Sequence, residues 1–229
     1  MAETEYFEAL GLKIPEDGAI LRRGHKKALL RGNYEKPERN AVNIHIAETD
    51  KVVELGAGIG FMSTFMAVNR GVKDITTFEA NPALLPFISK MHDLNDVSDH
   101  IKVRNQLVAP QSGDAMPFYV RGNFLASSLS DDMGGRFGGV VSTEMIDVVD
   151  FNDFLTSEKP NALVCDVEGY ESILFPQTDL GCFDKAIIEL HPASVGPEGI
   201  KAVFDAFSNA GMVYDCTTST GAVVTFLRA

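Results

Sequence analysis

From residue 51 onward, short β-branched runs alternate with stretches whose apolar residues recur at helical spacing. KVVEL (51–55) ends in a glycine cluster, and GFMSTFMAVNRG (60–71) follows with Phe61, Thr64, Phe65 and Val68 on one face and Gly71 as a C-terminal stop. DITTFE (74–79) is the next strand. Asn81-Pro82 then opens a helix running to about Leu94, and IKVRN (101–105) is a third strand. Strand–helix–strand alternation with short connections predicts a parallel sheet covered by helices on both faces.

The alternation loosens in the middle of the chain. AMPFYVRG (115–122) and EMIDVVDF (144–151) read as strands around the glycine- and serine-rich stretch 123–139, which reads as a loop over the ligand edge of the sheet. It resumes with ALVCDV (162–167), a helix from about Tyr170, KAIIELH (185–191) and a helix over 197–211. MVYDCT and AVVTFLR, joined by TSTG (218–221), read as an antiparallel C-terminal hairpin. The first 50 residues are polar and mixed, with helices expected at 21–30 and 35–48. The expected organisation is a helical extension over 1–50 packed on an α/β domain over 51–229.

The chain has 229 residues and a formal net charge of −12. That balance argues against binding a phosphate backbone, which needs surplus Lys and Arg on one face, so no nucleic-acid partner is expected. The one cationic cluster, LRRGHKKALLR (21–31), reads as a solvated helix face. Cys165, Cys182 and Cys216 fit no zinc spacing and read as reduced thiols. With an acidic N-terminus and no long apolar run, the expectation is a cytoplasmic protein without membrane contact; a homodimer is the default oligomeric expectation.

In open α/β sheets ligands bind beyond the carboxyl ends of the strands. The first such end is VVELGAGIG (52–60), where Gly56, Gly58 and Gly60 recur at every second residue around Ala57. Counting from Gly56 or Gly58 puts Phe61 or Ser63 at the last glycine of a Gly-x-Gly-x-x-Gly fingerprint, so the dinucleotide pattern fails. Glu54 would repel a pyrophosphate and suits a ligand carrying an amino or sulfonium cation. Glu79, ending the second strand beside Ala80, is placed to grip a ribose diol. Cation, ribose and no phosphate together describe S-adenosylmethionine.

The pieces GNYEKPE (32–38), VVELGAGIG (52–60), FEANP (78–82), NQLVAPQSG (105–113), LVCDVEGYE (163–171) and IIELHP (187–192) occur in the order found in the FkbM family. The chain resembles that family of class I S-adenosylmethionine-dependent methyltransferases, with Glu54 where the family usually has Asp. The resemblance implies a Rossmann-like methyltransferase fold. It also implies methyl transfer to an oxygen, typically a hydroxyl of a sugar or natural product and in some relatives a carboxylate, with S-adenosylhomocysteine as product. A small hydroxylated acceptor is the expected partner. Two readings stay open beside it: a nicotinamide-dependent oxidoreductase on a similar sheet, and a cofactor-binding module without chemistry.

Methyl transfer needs a nucleophile held in line with the methyl group, and a hydroxyl benefits from a nearby base. His191, at the end of KAIIELH, is the first candidate base. Asp166 is expected to approach the cofactor or acceptor, Glu168 to take a proton or bind substrate, and Glu171 to cap a helix. Asn105 and Gln106 are assigned to the adenine by the resemblance, and Tyr34 and Glu35 to the substrate side. Glu189 with these acids could hold magnesium, but the spacing does not demand a metal and none is assigned. His25, His45, His92 and His100 read as solvated.

Overall fold

A computed structural model of the chain describes residues 5–121 and 139–229. The glycine- and serine-rich stretch expected to form a loop lies almost wholly outside the described residues. Strand β3 (Lys51–Leu55) starts the central sheet, helix α3 (Phe61–Arg70) crosses over it, and β4 (Asp74–Phe78) lies parallel beside β3. A 3₁₀ turn (Pro82–Leu84), capped by the Asn81 side chain, and α4 (Leu85–Leu94) lead to β5 (Ile101–Arg104). On the other side β10 (Ala162–Cys165) pairs parallel with β3, and β11 (Lys185–Glu189) with β10. Helix α7 (Pro192–Asn209) crosses to β12 (Met212–Tyr214) and then β13 (Val223–Arg228), which runs antiparallel to both β12 and β11. The strand order is β12-β13-β11-β10-β3-β4-β5.

Both faces of this sheet are buried, so its strands are apolar without alternation. Val52, Ile75, Val164, Ile187 and Val223 point to one core, which also takes residues of α3 and α4. Val53, Leu55, Leu163, Cys165, Ile188 and Phe226 point to the other, packed with Phe151, Phe154, Phe175 and Phe207. Glu54 lies in this sheet with 2% exposure, so an acid in the middle of an apolar run is carried into the interior at the ligand end of the strand.

The structure departs from the sequence reading in four places. The first 50 residues begin with a hairpin, β1 (Tyr6–Ala9) and β2 (Leu12–Pro15), before helices α1 (Arg23–Leu30) and α2 (Lys36–His45). Leu12, Ile14, Leu29, Ala41 and Val42 from this segment share one core with the central sheet. The strand expected at 144–151 divides. Beyond the short strand β6 (Leu107–Ala109) and β7 (Met116–Arg121), the chain forms β8 (Val140–Ile146) and β9 (Val148–Asp150), and Phe151 already begins helix α5 (Phe151–Glu158). The helix after Tyr170 is one turn, α6 (Glu171–Leu174), continued by a 3₁₀ turn (Phe175–Gln177). Two of the histidines read as solvated are not: His92 is 2% exposed, and the His45 ring bonds Asp215 and Thr218 at 3.1 and 3.0 Å.

Candidate active site

The carboxyl ends of β3, β4, β10 and β11 lie side by side, and the residues singled out in the sequence gather there. The turn after β3 is held from beneath: Gly56 and Ala57 both donate backbone N–H to the Phe78 carbonyl, at 3.0 and 3.1 Å. Asp166 N donates to the Leu55 carbonyl at 2.9 Å, laying the turn after β10 across Gly56. Gly56 has φ of +85°, and a Cβ there would sit 1.8 Å from the Asp166 carbonyl oxygen. Only glycine lets the two turns touch.

Glu79 leaves β4 into this gap at 6% exposure. Its Oε2 accepts from Gly58 N and its Oε1 from Asn81 N, each at 2.7 Å, which fixes the carboxylate beside the glycine turn. Burial pushes the Glu79 and Glu54 carboxyls up to about 7, against the pull of their hydrogen bonds. Asn105, expected at the adenine, donates its side-chain amide to the Glu79 and Ala80 carbonyls at 2.8 and 3.1 Å. It fixes the backbone at Glu79. Gln106 follows it, half-buried.

A second group of acids closes the other side. A cavity of about 30 Å³ is lined by Glu35, Glu38, Glu54, Asp166 and Glu189 together with the Gly56–Ala57 turn. Glu35 is the N-cap of α2 and holds a left-handed backbone at φ +43°. Arg39 stabilises that entry by donating to the Tyr34 and Gly32 carbonyls at 2.9 and 2.6 Å. Tyr34 itself turns into the core, edge-on to Phe61 with ring centroids 5.1 Å apart. Glu35 therefore faces the site and Tyr34 supports it.

His191 is the centre of the third group. Its Nδ1 lies 2.7 Å from Glu171 Oε1, and its Nε2 lies 3.4 Å from Asp166 Oδ1 and 3.3 Å from Glu168 Oε2. Glu171 is fully buried and also accepts from Gly169 N at 3.3 Å. The expected helix cap is not formed, since Tyr170 is the N-cap of α6 and no side chain caps it; Glu171 instead orients the imidazole, a contact between residues 20 positions apart that spacing alone does not reveal. Gly169 has φ of +108°, and a Cβ there would meet the Ser194 Cβ at 2.8 Å, so the Asp166–Glu171 turn can close against α7. Burial alone would lower the His191 pKa; the Glu171 bond and the charges of Glu171, Asp166 and Glu168 outweigh it and lift it to about 9. Burial raises Asp166 to about 6 and, with the Asp166 charge, raises Glu168 to about 7 and Glu189 to about 8. So many acids around one cavity select for positive charge within it.

The arrangement fits S-adenosylmethionine. The buried, unbonded Glu54 Oε2 and the neighbouring acids offer acceptors for an amino or sulfonium cation. The backbone at Gly58 leaves open space where a side chain would stand. Strand order, glycine turn and acids together define a class I S-adenosylmethionine-dependent methyltransferase.

The comparisons agree with this class. The TRM5/TYW2 methyltransferase domain matches residues 16–113, from the end of the N-terminal hairpin past β6. Among solved structures, TYW2 of M. jannaschii in complex with AdoMet is similar with a TM-score of 0.53 and 14% identity, over 99% of this chain and 87% of that one. Magnesium protoporphyrin IX methyltransferase (ChlM) from Synechocystis PCC 6803, with bound SAH, is similar with a TM-score of 0.50 and 12% identity, over 93% of this chain and 90% of that one. No curated protein matches the chain.

The expected partners, a small hydroxylated acceptor with nucleic acid excluded, are corrected by the family match. TRM5 and TYW2 are RNA methyltransferases. The physical error lay in using a sum. A net charge of −12 describes the whole surface, whereas a phosphate backbone meets one patch.

Proposed function

We propose that the protein transfers a methyl group from S-adenosylmethionine to an RNA acceptor. The observation that carries this reading is the family match over residues 16–113. That stretch takes in a cationic stripe: Arg23 and Lys27 on the exposed face of α1 and Arg31 at its C-cap follow one another at four-residue spacing. Arg31 is four residues from Glu35 of the cavity lining, at most about 14 Å of chain at full extension. The acids of the cavity repel phosphate. An RNA backbone would therefore rest on α1 and not against the cavity.

S-adenosylmethionine supplies the activated methyl group. The chain's own residues supply position: Glu79 and the Gly56–Gly60 turn for the cofactor's ribose and methionyl ends, and Asp166, Glu168 and His191 for the acceptor. The finer form of the proposal is transfer to oxygen. It is supported by the FkbM-like runs that place Asp166, Glu168 and His191 together, and a ribose hydroxyl satisfies both that resemblance and an RNA acceptor.

Incubating the protein with methyl-labelled S-adenosylmethionine and total RNA, then digesting to nucleosides, tests it. Label in 2′-O-methylnucleosides supports both levels of the proposal. Label in a methylated base keeps the RNA acceptor and rejects oxygen. Unlabelled RNA, with label entering a small-molecule extract, rejects the RNA acceptor.

A further inference from the structure

The acids at the end of β10 and β11 do not all serve the cofactor. One oxygen each of Asp166 and Glu189 and one ring nitrogen of His191 lie within 4.8 Å of one another. They come from two adjacent strand ends, so the sheet fixes their separation. The His191 ring is held as a metal ligand is held: Nδ1 is bonded to the buried Glu171 carboxylate at 2.7 Å, which leaves Nε2 facing the acids.

A second observation comes from a fourth carboxyl, which hydrogen-bonds Glu189 of this cluster. Glu38, on α2, is 9% exposed and lines the same cavity as Asp166 and Glu189, and its Oε2 has no hydrogen-bond partner. A buried carboxylate oxygen without a donor needs a cation or a proton donor to be stable. The cavity of about 30 Å³ has room for a single ion or water.

We propose that Asp166, Glu189 and His191 form a divalent-cation site at the acceptor side of the catalytic cavity. Metal–ligand bonds of about 2.0–2.2 Å require the three atoms to close by roughly 1 Å, within reach of side-chain rotation. One imidazole with two carboxylates favours zinc or manganese over magnesium, which prefers oxygen alone. Three protein ligands leave positions open, where a bound acceptor oxygen would lose its proton more readily. The site is independent of what the acceptor is.

Equilibrium dialysis of the cofactor-free, RNA-free chain against Zn²⁺ and Mn²⁺ tests this without relying on methyl transfer. The expected result is one ion per chain, with affinity reduced at least tenfold in Glu189→Gln and in His191→Gln, and about 10–100-fold in Glu171→Gln through loss of ring orientation. Near-UV circular dichroism checks folding of each variant. If a variant fails to fold, Co²⁺ binding to the unchanged chain gives a second readout: visible bands of a nitrogen- and oxygen-ligated ion are expected. Absence of stoichiometric uptake by the unchanged chain, uptake that the folded variants leave unaltered, or a thiolate-to-cobalt band overturns the proposal.

Discussion

Glu79 carries a prediction that separates its charge from its hydrogen bonds. Its carboxyl is 6% exposed and pushed by burial from 4.5 up to about 7. The unfolded chain therefore gives up this proton at lower pH than the folded one, and the acid's contribution to stability is lost as pH rises from about 4.5 through about 7. Over pH 5 to 8 that loss is roughly 2–3 kcal/mol at 1.36 kcal/mol per pKa unit. Glu79→Gln removes the titration. Whatever constant penalty the amide brings at the Gly58 and Asn81 N–H groups, the stability difference between variant and parent should move in the variant's favour by that 2–3 kcal/mol from pH 5 to pH 8. In a chain of this size that is a relative shift in melting temperature of about 5–10 °C. Melts of both proteins at several pH values, without cofactor, measure it. Parallel curves for parent and variant would refute the argument that this acid is held partly protonated by burial.

Other consequences follow from the same geometry. S-adenosylhomocysteine should bind the parent more tightly above pH 7 than at pH 5.5, because a ribose diol donates to the Glu79 carboxylate; in Glu79→Gln, titration calorimetry should show weaker binding with a flatter pH dependence. Gly56→Ala must pull the Asp166 turn away from Leu55. The left-handed backbone costs about 1–2 kcal/mol and the lost hydrogen bond about 1 kcal/mol, so denaturant melts should show a loss of about 2–3 kcal/mol, together with weakened cofactor binding. Reversing the charge at Arg23, Lys27 and Arg31 together should weaken RNA binding and flatten its dependence on salt in fluorescence anisotropy while leaving S-adenosylhomocysteine affinity unchanged. Lys185→Met removes the charge partner of Asp50, which is 5% exposed and holds that lysine at 3.0 Å, and leaves it the Ala47 and Asn161 donors; a loss of about 3 kcal/mol in denaturant melts is expected.

The strands that build the site were legible because burial on both faces leaves them as short apolar runs, and acids mark their carboxyl ends: Glu54 one residue before the end of β3, Glu79 and Asp166 directly after β4 and β10, and Glu189 at the end of β11. The acids and glycines of the cofactor end were legible for the same reason: they interrupt the runs. Helix α5 was missed because VVDFNDFL mimics a strand at its start. Phe151, Phe154 and Leu155 at helical spacing after the N-cap Asp150 were the signal for it. The N-terminal hairpin was missed because two four-residue strands alternate too briefly to stand out. The Glu171–His191 pair and the inward turn of Tyr34 depend on how β10, β11, α2 and α3 pack, and no local pattern encodes that.

The glycine turn, Glu54 and Glu79 make a site for S-adenosylmethionine and not for a dinucleotide. Titration calorimetry with S-adenosylhomocysteine and with NADH tests it most directly. One S-adenosylhomocysteine should bind per chain, more weakly in Glu79→Ala, and NADH should give no heat of binding. Saturable binding of NADH with none of S-adenosylhomocysteine would contradict it.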